Sequence, residues 1–163
     1  MNEQIFKLSR RIRREMPDLE QVLSRIHKGW QRAQTTADDC YLDSVALNLH
    51  GLYSGLERLF EQIAATIDQC LPQGANWHRM LLEQMASEQP GLRPAVISAR
   101  SHKCLDEYRG FRHVVRNVYA YRFNAAKLKD LVEQASEMFL QVKQELLAFA
   151  DFIDQAINAS TKE

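Results

Sequence analysis

The residues that could do chemistry are concentrated at positions 106–123, which read DEYRGFRHVVRNVYAYRF. If this stretch is wound as an α-helix at roughly 100° per residue, its apolar side chains fall on one wall. The polar side chains of the opposite wall belong to Arg109, Arg112, His113, Arg116, Asn117 and Tyr119. The pattern therefore predicts a helix that packs one wall on a core and presents a mostly cationic wall on the other side.

From residue 108 onward, the positive charge of this stretch has no acidic counterpart nearby in the sequence. Residues 108–129 contain no Asp or Glu. Arg112 and Arg116 lie four residues apart, where a like-charged pair is destabilising unless an anion offsets the repulsion. A solvated face, or acids from another helix, is one interpretation. Planar and permanently charged guanidiniums suit phosphate best, so the pattern favours a phosphate ligand.

The elements that must position this wall are predicted to be helical. Apolar residues recur at spacings of three and four, and no segment alternates with period two. The predicted helices are 3–34 with a kink near Pro17, 39–70, 77–87, a fourth from about 98 to 121–123, and a fifth from about 125 to 157. Short links between long helices predict one all-α domain over residues 1–163, an antiparallel bundle of about five helices.

Two glycines interrupt the apolar stripe of the second predicted helix. Gly51 and Gly55 are four residues apart, and each costs about 1 kcal/mol relative to alanine in a helix interior. The spacing favours a tight contact in which another backbone approaches this helix closely. In the alternative interpretation, the neighbouring polar residues His50, Tyr53 and Glu57 also shape a polar cleft.

Four arginines near the N-terminus form a second basic cluster, which consists of Arg10, Arg11, Arg13 and Arg14. A solvated helix end explains this cluster, and the alternative is an accessory arm that binds a nucleic-acid backbone.

The overall composition limits the class of protein. The sequence contains 21 Lys and Arg residues and 21 Asp and Glu residues, so its net charge argues neither for nor against nucleic-acid binding. No apolar run reaches 18 residues and the first residues lack the features of a signal peptide, which predicts no membrane span and a cytoplasmic protein. Three widely spaced cysteines predict free thiols, and the absence of zinc-site spacing predicts no metal and no cofactor.

The order Arg112, His113, three residues, Asn117, one residue, Tyr119 resembles the R-[NH]-x-x-x-H-x-Y signature of the HEPN superfamily, specifically of HepT-like ribonuclease toxins. The short motif alone is weakly specific. Four blocks in the same order carry the resemblance further: NLHGLYSGLER (48–58), WHRMLLEQM (77–85), RPAVIS (93–98) and FRHVVRNVY (111–119). Together they make the resemblance fairly specific and extend it over most of the chain.

The resemblance implies a homodimer in which the motif helices of two subunits line one shared cleft. It implies a metal-independent endoribonuclease, in which the ribose 2′-hydroxyl attacks the adjacent phosphate and leaves a cyclic phosphate and a 5′-hydroxyl. Arg112 would stabilise the phosphorane charge, and Arg109 and Arg116 are expected to bind RNA phosphate. The implied partner is an MntA-like minimal nucleotidyltransferase antitoxin, which would inactivate the toxin by transferring AMP onto Tyr119.

The sequence departs from the motif at one position, because the motif histidine falls on Asn117. An asparagine cannot titrate near neutral pH, and losing a general base costs roughly 10²–10⁴-fold in rate. The chain could be a weakened or inactive natural member, or a toxin disarmed for production. Alternatively, His113 has taken over the role, since it lies one helical turn from Asn117.

Two non-enzymatic functions compete with the ribonuclease. In the first, the chain is an adaptor or antitoxin-like subunit whose arginine face binds an acidic protein. In the second it is an oligomeric scaffold, in which Glu or Asp side chains of its own second helix would cover the arginine face.

Overall fold

The computed structural model describes residues 2–117, 119 and 124–160. These residues form five α-helices and one π-helical turn, and they form no strand: α1 (Asn2–Thr36), α2 (Cys40–Ile63), the π-helical turn (Ala64–Asp68), α3 (Trp77–Ala86), α4 (Ala99–Asn117) and α5 (Ala125–Ser160). The all-α bundle predicted from the apolar periodicity is therefore confirmed. None of the helices in this part of the chain combines the length and apolar character that a membrane span needs.

The three longest helices enclose the core. α1 packs on both α2 and α5, and α2 also packs on α3 and α4. Fully buried side chains from these helices fill the interior, among them Ile12, Ile26, Leu49, Leu56 and Leu146. Each such side chain contributes about 1.5–3 kcal/mol relative to an exposed one. Because α2 contacts all the other helices, it forms the floor on which α3 and α4 are positioned.

One difference from the predicted helix boundaries lies at the end of α2. The regular helix ends at Ile63, and the chain continues through the π-helical turn before Gln69 adopts a left-handed conformation with φ 52°. The backbone N–H of Cys70 then donates to the carbonyl of Ala64 at 3.2 Å. α1 is not divided at Pro17, which lies inside one continuous helix.

Gly51 and Gly55 have different surroundings. A Cβ at Gly55 would stand 2.5 Å from Cδ2 of Leu19, so α1 packs closely against α2 at this point. Apart from its two chain neighbours and the backbone of its own helix, no described residue comes within 4 Å of the place where a Cβ of Gly51 would stand. The predicted close contact is therefore correct at Gly55, where the neighbour is a side chain rather than a backbone, and wrong at Gly51.

The N-terminal arginine cluster is partly engaged in holding helices together. Nη2 of Arg13 lies 2.6 Å from Oδ1 of Asp151 and 2.8 Å from Oδ2 of Asp154, both on α5. The hydrogen bond to Asp151 is the main cause of the raised pKa of Arg13. Arg10 stacks its guanidinium over the ring of Phe6 at 5.6 Å. Arg13 at least is therefore engaged in contacts within the bundle.

Candidate functional site

The rotation of α4 is fixed by its apolar wall. Leu105, Tyr108 and Phe111 are buried against the bundle, and the Tyr108 hydroxyl donates to the carbonyl of Leu131 on α5 at 2.7 Å. At the start of the helix, the Ser98 hydroxyl accepts a hydrogen bond from a backbone N–H of the first turn. With this wall buried, the arginine-bearing wall must turn towards α2, α3 and solvent.

Arg112 lies where three helices converge. Glu57 on α2 is buried, and its Oε2 is 2.9 Å from Nδ1 of His78 on α3. The other ring nitrogen of His78, Nε2, is 3.1 Å from Nη1 of Arg112. Nε of Arg112 is itself 3.8 Å from Oε1 of Glu57. The carboxylate, imidazole and guanidinium therefore form one connected group, which we call the Arg112 network.

The donors and acceptors of this network fix the tautomer of His78. A guanidinium has only donors, so Nε2 of His78 must accept the hydrogen bond from Arg112. The proton of the neutral ring then lies on Nδ1, which donates to Glu57. The ring of Trp77 lies against that of His78, with 3.6 Å between the ring centroids. The imidazole is thus held by a carboxylate, a guanidinium and an indole.

Arg112 keeps most of its donors unused. Within the described part of the chain, Nη1 makes the hydrogen bond to His78, while the buried Nε makes none. The side chain of Arg112 is 18% exposed. A guanidinium that is held by its neighbours and is still partly exposed can bind an anion with charge-assisted hydrogen bonds.

The two neighbouring arginines differ in their charge partners. Nε of Arg109 is 2.7 Å from Oδ1 of Asp106, and this hydrogen bond is the main cause of the raised pKa of Arg109. Arg116 is exposed, and no acidic side chain among residues 2–117, 119 and 124–160 lies within 4.0 Å of it. The network and this exposed arginine are therefore the cationic surface that remains open.

The inference that the guanidiniums lack acidic partners was therefore wrong for two of the three. Asp106 is three residues from Arg109 and shares its side of α4, just before the acid-free stretch. Glu57 reaches Arg112 only because α2 and α4 pack together. The scaffold interpretation expected acidic side chains of the second helix to cover the arginine face. Glu57 of α2 does lie beside Arg112 but not beside Arg116.

The structure brings the three candidate cleft residues of α2 to this site. Tyr53 is buried, and its pKa is raised first by burial and then by the charge of Glu57, to which it is hydrogen-bonded. The pKa of His50 is lowered from its usual 6.5, first by burial and then by the positive charges of Arg112 and Arg116. Both shifts place these side chains next to the Arg112 network.

His113 and Asn117 contact each other, as their spacing predicted. Nδ2 of Asn117 lies 3.2 Å from Nδ1 of His113 and donates to the carbonyl of His113 at 2.7 Å. Both side chains are exposed. The second hydrogen bond gives the carbonyl of His113, in the last turn of α4, a side-chain donor.

Tyr119 lies beyond the end of α4, not inside it. The helix was predicted to continue to residues 121–123, whereas it ends at Asn117, and Tyr119 is 73% exposed. The predicted helix end at 121–123 itself lies outside the described residues.

His78 is the functional candidate that the sequence reasoning missed. It belongs to the WHRMLLEQM block of the family resemblance, and that block was the available signal. Spacing alone could not find it, because α3 and α4 are separate helices whose register is set by packing. In contrast, the exposed side chains of Asp38, Asp39 and Cys40, whose ligand atoms lie within 4.8 Å of one another, make a poor metal site. The pKa of the Cys40 thiol is raised by Asp38, which disfavours the thiolate a metal would need.

The fold is an all-α bundle, and its candidate site is centred on an arginine of the fourth helix. The chain belongs to the HepT-like family of the HEPN superfamily: the family described as HepT-like protein matches residues 44–153. That match includes Glu57, His78 and Arg112. No curated protein and no solved structure matched the chain in the same comparisons. At a coarse level, membership suggests a HEPN-type ribonuclease toxin with an RNA substrate and a toxin–antitoxin partnership.

Proposed function

We propose that this protein is a HepT-like toxin that binds RNA through Arg112 and Arg116 and cleaves it by attack of the ribose 2′-hydroxyl on the adjacent phosphate. One observation carries the proposal: Arg112 is held in place by Glu57 and His78, its side chain stays 18% exposed, and within the described residues its one hydrogen bond goes to His78. A preorganised guanidinium of this kind stabilises the charge that develops on a phosphorane.

The neighbouring side chains have supporting roles in this proposal. Arg116 extends the cationic surface along the RNA backbone, and Arg109 adds a second, partly neutralised charge. His113 and Asn117 form a hydrogen-bonded pair at the edge of the site. Asn117 can position RNA but cannot accept a proton from it. The reaction needs no metal, as the family resemblance implies.

We further propose that two copies of the chain form the cleft, with their α4 helices facing each other. This arrangement is supported by the space around Gly51 on α2 and Gly110 on α4, where no described atom lies within 4 Å of an added Cβ. A homodimer would let both arginine-bearing helices reach one RNA strand. The mass of the protein in solution, measured by light scattering, should be twice that of the chain.

The exposed Tyr119 is the proposed acceptor of AMP from an MntA-like nucleotidyltransferase. It is 73% exposed and lies two residues beyond the end of α4. AMP attached there would add a negative phosphate and a bulky nucleoside near Arg116, which would compete with RNA. After co-expression with such an enzyme, a peptide containing Tyr119 should gain the mass of AMP, and a Tyr119→Phe chain should not.

The experiment that tests the ribonuclease compares the unaltered chain with Asn117→His, Arg112→Ala and Arg100→Ala on a mixed RNA pool. Asn117→His should cleave RNA and leave cyclic phosphate ends, whereas Arg112→Ala should lose cleavage. Arg100→Ala is the matched control, because Arg100 is an exposed arginine of the same helix that pairs with Glu137. If neither the unaltered chain nor Asn117→His cleaves any RNA, the catalytic proposal is wrong. A stoichiometric complex with an acidic protein, without salt-sensitive RNA affinity, would instead support the adaptor.

A further inference from the structure

Asn117 leaves the motif helix without a histidine at the expected position, but the structure supplies an imidazole from another helix. We propose that His78 on α3 is the catalytic base of this site and that Glu57 orients it. This inference rests on the proposed ribonuclease function and deepens it. It predicts that the chain cleaves RNA as it stands, without restoration of the motif histidine.

The first argument is the way the His78 ring is held. Its Nδ1 donates to the buried Glu57 at 2.9 Å, and the ring of Trp77 covers one face of the imidazole. A buried carboxylate behind an imidazole fixes the tautomer and stabilises the imidazolium that forms when the ring accepts a proton. The nitrogen left to accept a proton is Nε2.

The second argument is the direction of that nitrogen. Nε2 of His78 points at Nη1 of Arg112, the guanidinium proposed to hold the RNA phosphate, from 3.1 Å. A phosphate oxygen is a charged acceptor and binds a guanidinium more strongly than a neutral imidazole does. Phosphate binding would therefore take over the Nη1 hydrogen bond of Arg112 and free the Nε2 lone pair of His78, while the guanidinium stays beside Glu57. The attacking 2′-hydroxyl belongs to the nucleotide bound at that phosphate, so it would lie beside the freed nitrogen.

Two other imidazoles near the arginine face are less suited to the role. The pKa of His50 is lowered by burial and by two arginines, which makes its ring a weak base. Nδ1 of His113 is in contact with Asn117, and His113 lies about 100° around the helix from Arg112. Of the three, His78 is the ring that has both a carboxylate on one nitrogen and Arg112 on the other.

The proposed step transfers one proton and exchanges one phosphorus–oxygen bond. The 2′ O–H bond breaks, its proton passes to Nε2 of His78, and the 2′-oxygen forms a bond to phosphorus. The bond between phosphorus and the 5′-oxygen breaks, and the leaving oxygen takes a proton from solvent at the exposed side of the site. The products are a 2′,3′-cyclic phosphate and a 5′-hydroxyl, and His78 then returns its proton to solvent.

The test compares the unaltered chain with His78→Gln, measuring RNA affinity and single-turnover cleavage rate separately. A glutamine carbonyl can still accept the hydrogen bond from Arg112 but cannot take up a proton. We expect His78→Gln to bind RNA within about twofold of the unaltered chain and to cleave it roughly 10²–10⁴-fold more slowly. His27→Gln is the matched control, because His27 is a half-buried histidine hydrogen-bonded to Ser136; its rate should not change.

Chemical rescue separates catalysis from folding. Free imidazole should restore cleavage to His78→Ala and should not restore it to Arg112→Ala. If His78→Gln proves unfolded by circular dichroism, Glu57→Gln replaces it; this change keeps the imidazole but removes its orienting charge, and should slow cleavage about tenfold with RNA still bound.

The outcomes distinguish this inference from the function on which it rests. Cleavage by Asn117→His but not by the unaltered chain would overturn the role of His78 and leave the ribonuclease intact. Full cleavage by His78→Gln would also overturn it, because a residue that cannot titrate would then suffice. If RNA is cleaved by none of these chains, the ribonuclease function itself fails.

Discussion

Arg93 lies beside a carboxylate of the π-helical turn and Arg112 beside a carboxylate of α2, but the two guanidiniums have different surroundings. Arg93 is fully buried, with its Nε 2.5 Å from Oδ1 and its Nη2 2.6 Å from Oδ2 of Asp68. Its remaining donors bind the carbonyls of Ser87, Pro94 and Gln84. All five N–H donors of this arginine therefore have an acceptor, and none is available to a ligand.

Arg112 has the opposite arrangement. Its nearest carboxylate oxygen is 3.8 Å away, its one hydrogen bond within the described residues goes to a histidine, and its Nε has no acceptor. A native protein rarely leaves a buried polar atom unsatisfied without a reason. The comparison indicates that Arg93 ties the loop after α3 to the π-helical turn, whereas Arg112 is the less fully bonded arginine, as the proposed phosphate site requires.

The largest expected difference between the two arginines is in the free energy of unfolding. Arg93→Ala removes one partner of a buried ion pair and should lower the free energy of unfolding by about 3–5 kcal/mol. Arg112→Ala should cost only about 1–2 kcal/mol, because His78 still donates to Glu57. Urea unfolding of the two variants measures both values. Equal losses would show that Arg112 is as structural as Arg93.

Lysine substitutions at positions 93 and 112 test the same difference between the two arginines. A lysine at position 93 cannot span both oxygens of Asp68 and three carbonyls, so Arg93→Lys should lose about 2–3 kcal/mol of stability. Arg112→Lys keeps the charge and should change stability by less than about 1 kcal/mol, while weakening RNA binding several-fold through loss of the forked donors. Paired melting and binding curves measure both effects. Weaker stability without weaker RNA binding at position 112 would contradict the assignment.

RNA binding provides the next comparison. Arg112→Ala should lower RNA affinity about tenfold and reduce by about 1 the slope of log affinity against log salt, as expected for one lost phosphate contact. Arg100→Ala, on the first turn of the same helix, should leave both values nearly unchanged. Titrations of a fluorescent RNA at several salt concentrations give both quantities. Similar losses in the two variants would indicate general surface attraction.

The smallest expected effect is on the titration of His50. Its folded pKa is lowered, so the unfolded chain binds the proton more readily, and stability is lost as pH falls below about 6.5. Arg112→Ala removes one of the two arginine charges and should raise the pKa of His50 part of the way to its ordinary value. The rise is partial because burial, the largest cause, remains. NMR titration of the His50 ring measures it, and an unchanged value would mean that Arg112 lies too far away to act on the ring.

Much of the site could be predicted from the sequence because α4 is one helix. Residues that lie three or four apart on a helix share a side, so the contact between His113 and Asn117 followed from spacing alone. The same rule could have indicated that Asp106 pairs with Arg109. Tyr119 was misplaced because apolar periodicity does not mark the residue at which α4 ends, which is Asn117.

The sequence by itself determined the all-α class, the approximate helices and the residues of the cationic wall. These features follow from the spacing of apolar and charged residues that are close together along the chain. Only the tertiary structure decided which arginine is saturated and which keeps free donors. Asp68 and Arg93 are 25 residues apart, Glu57 and His78 are 21 apart, and Arg112 is 34 residues beyond His78. No helical period connects positions so far apart, so packing of α3 and α4 on α2 had to bring them together.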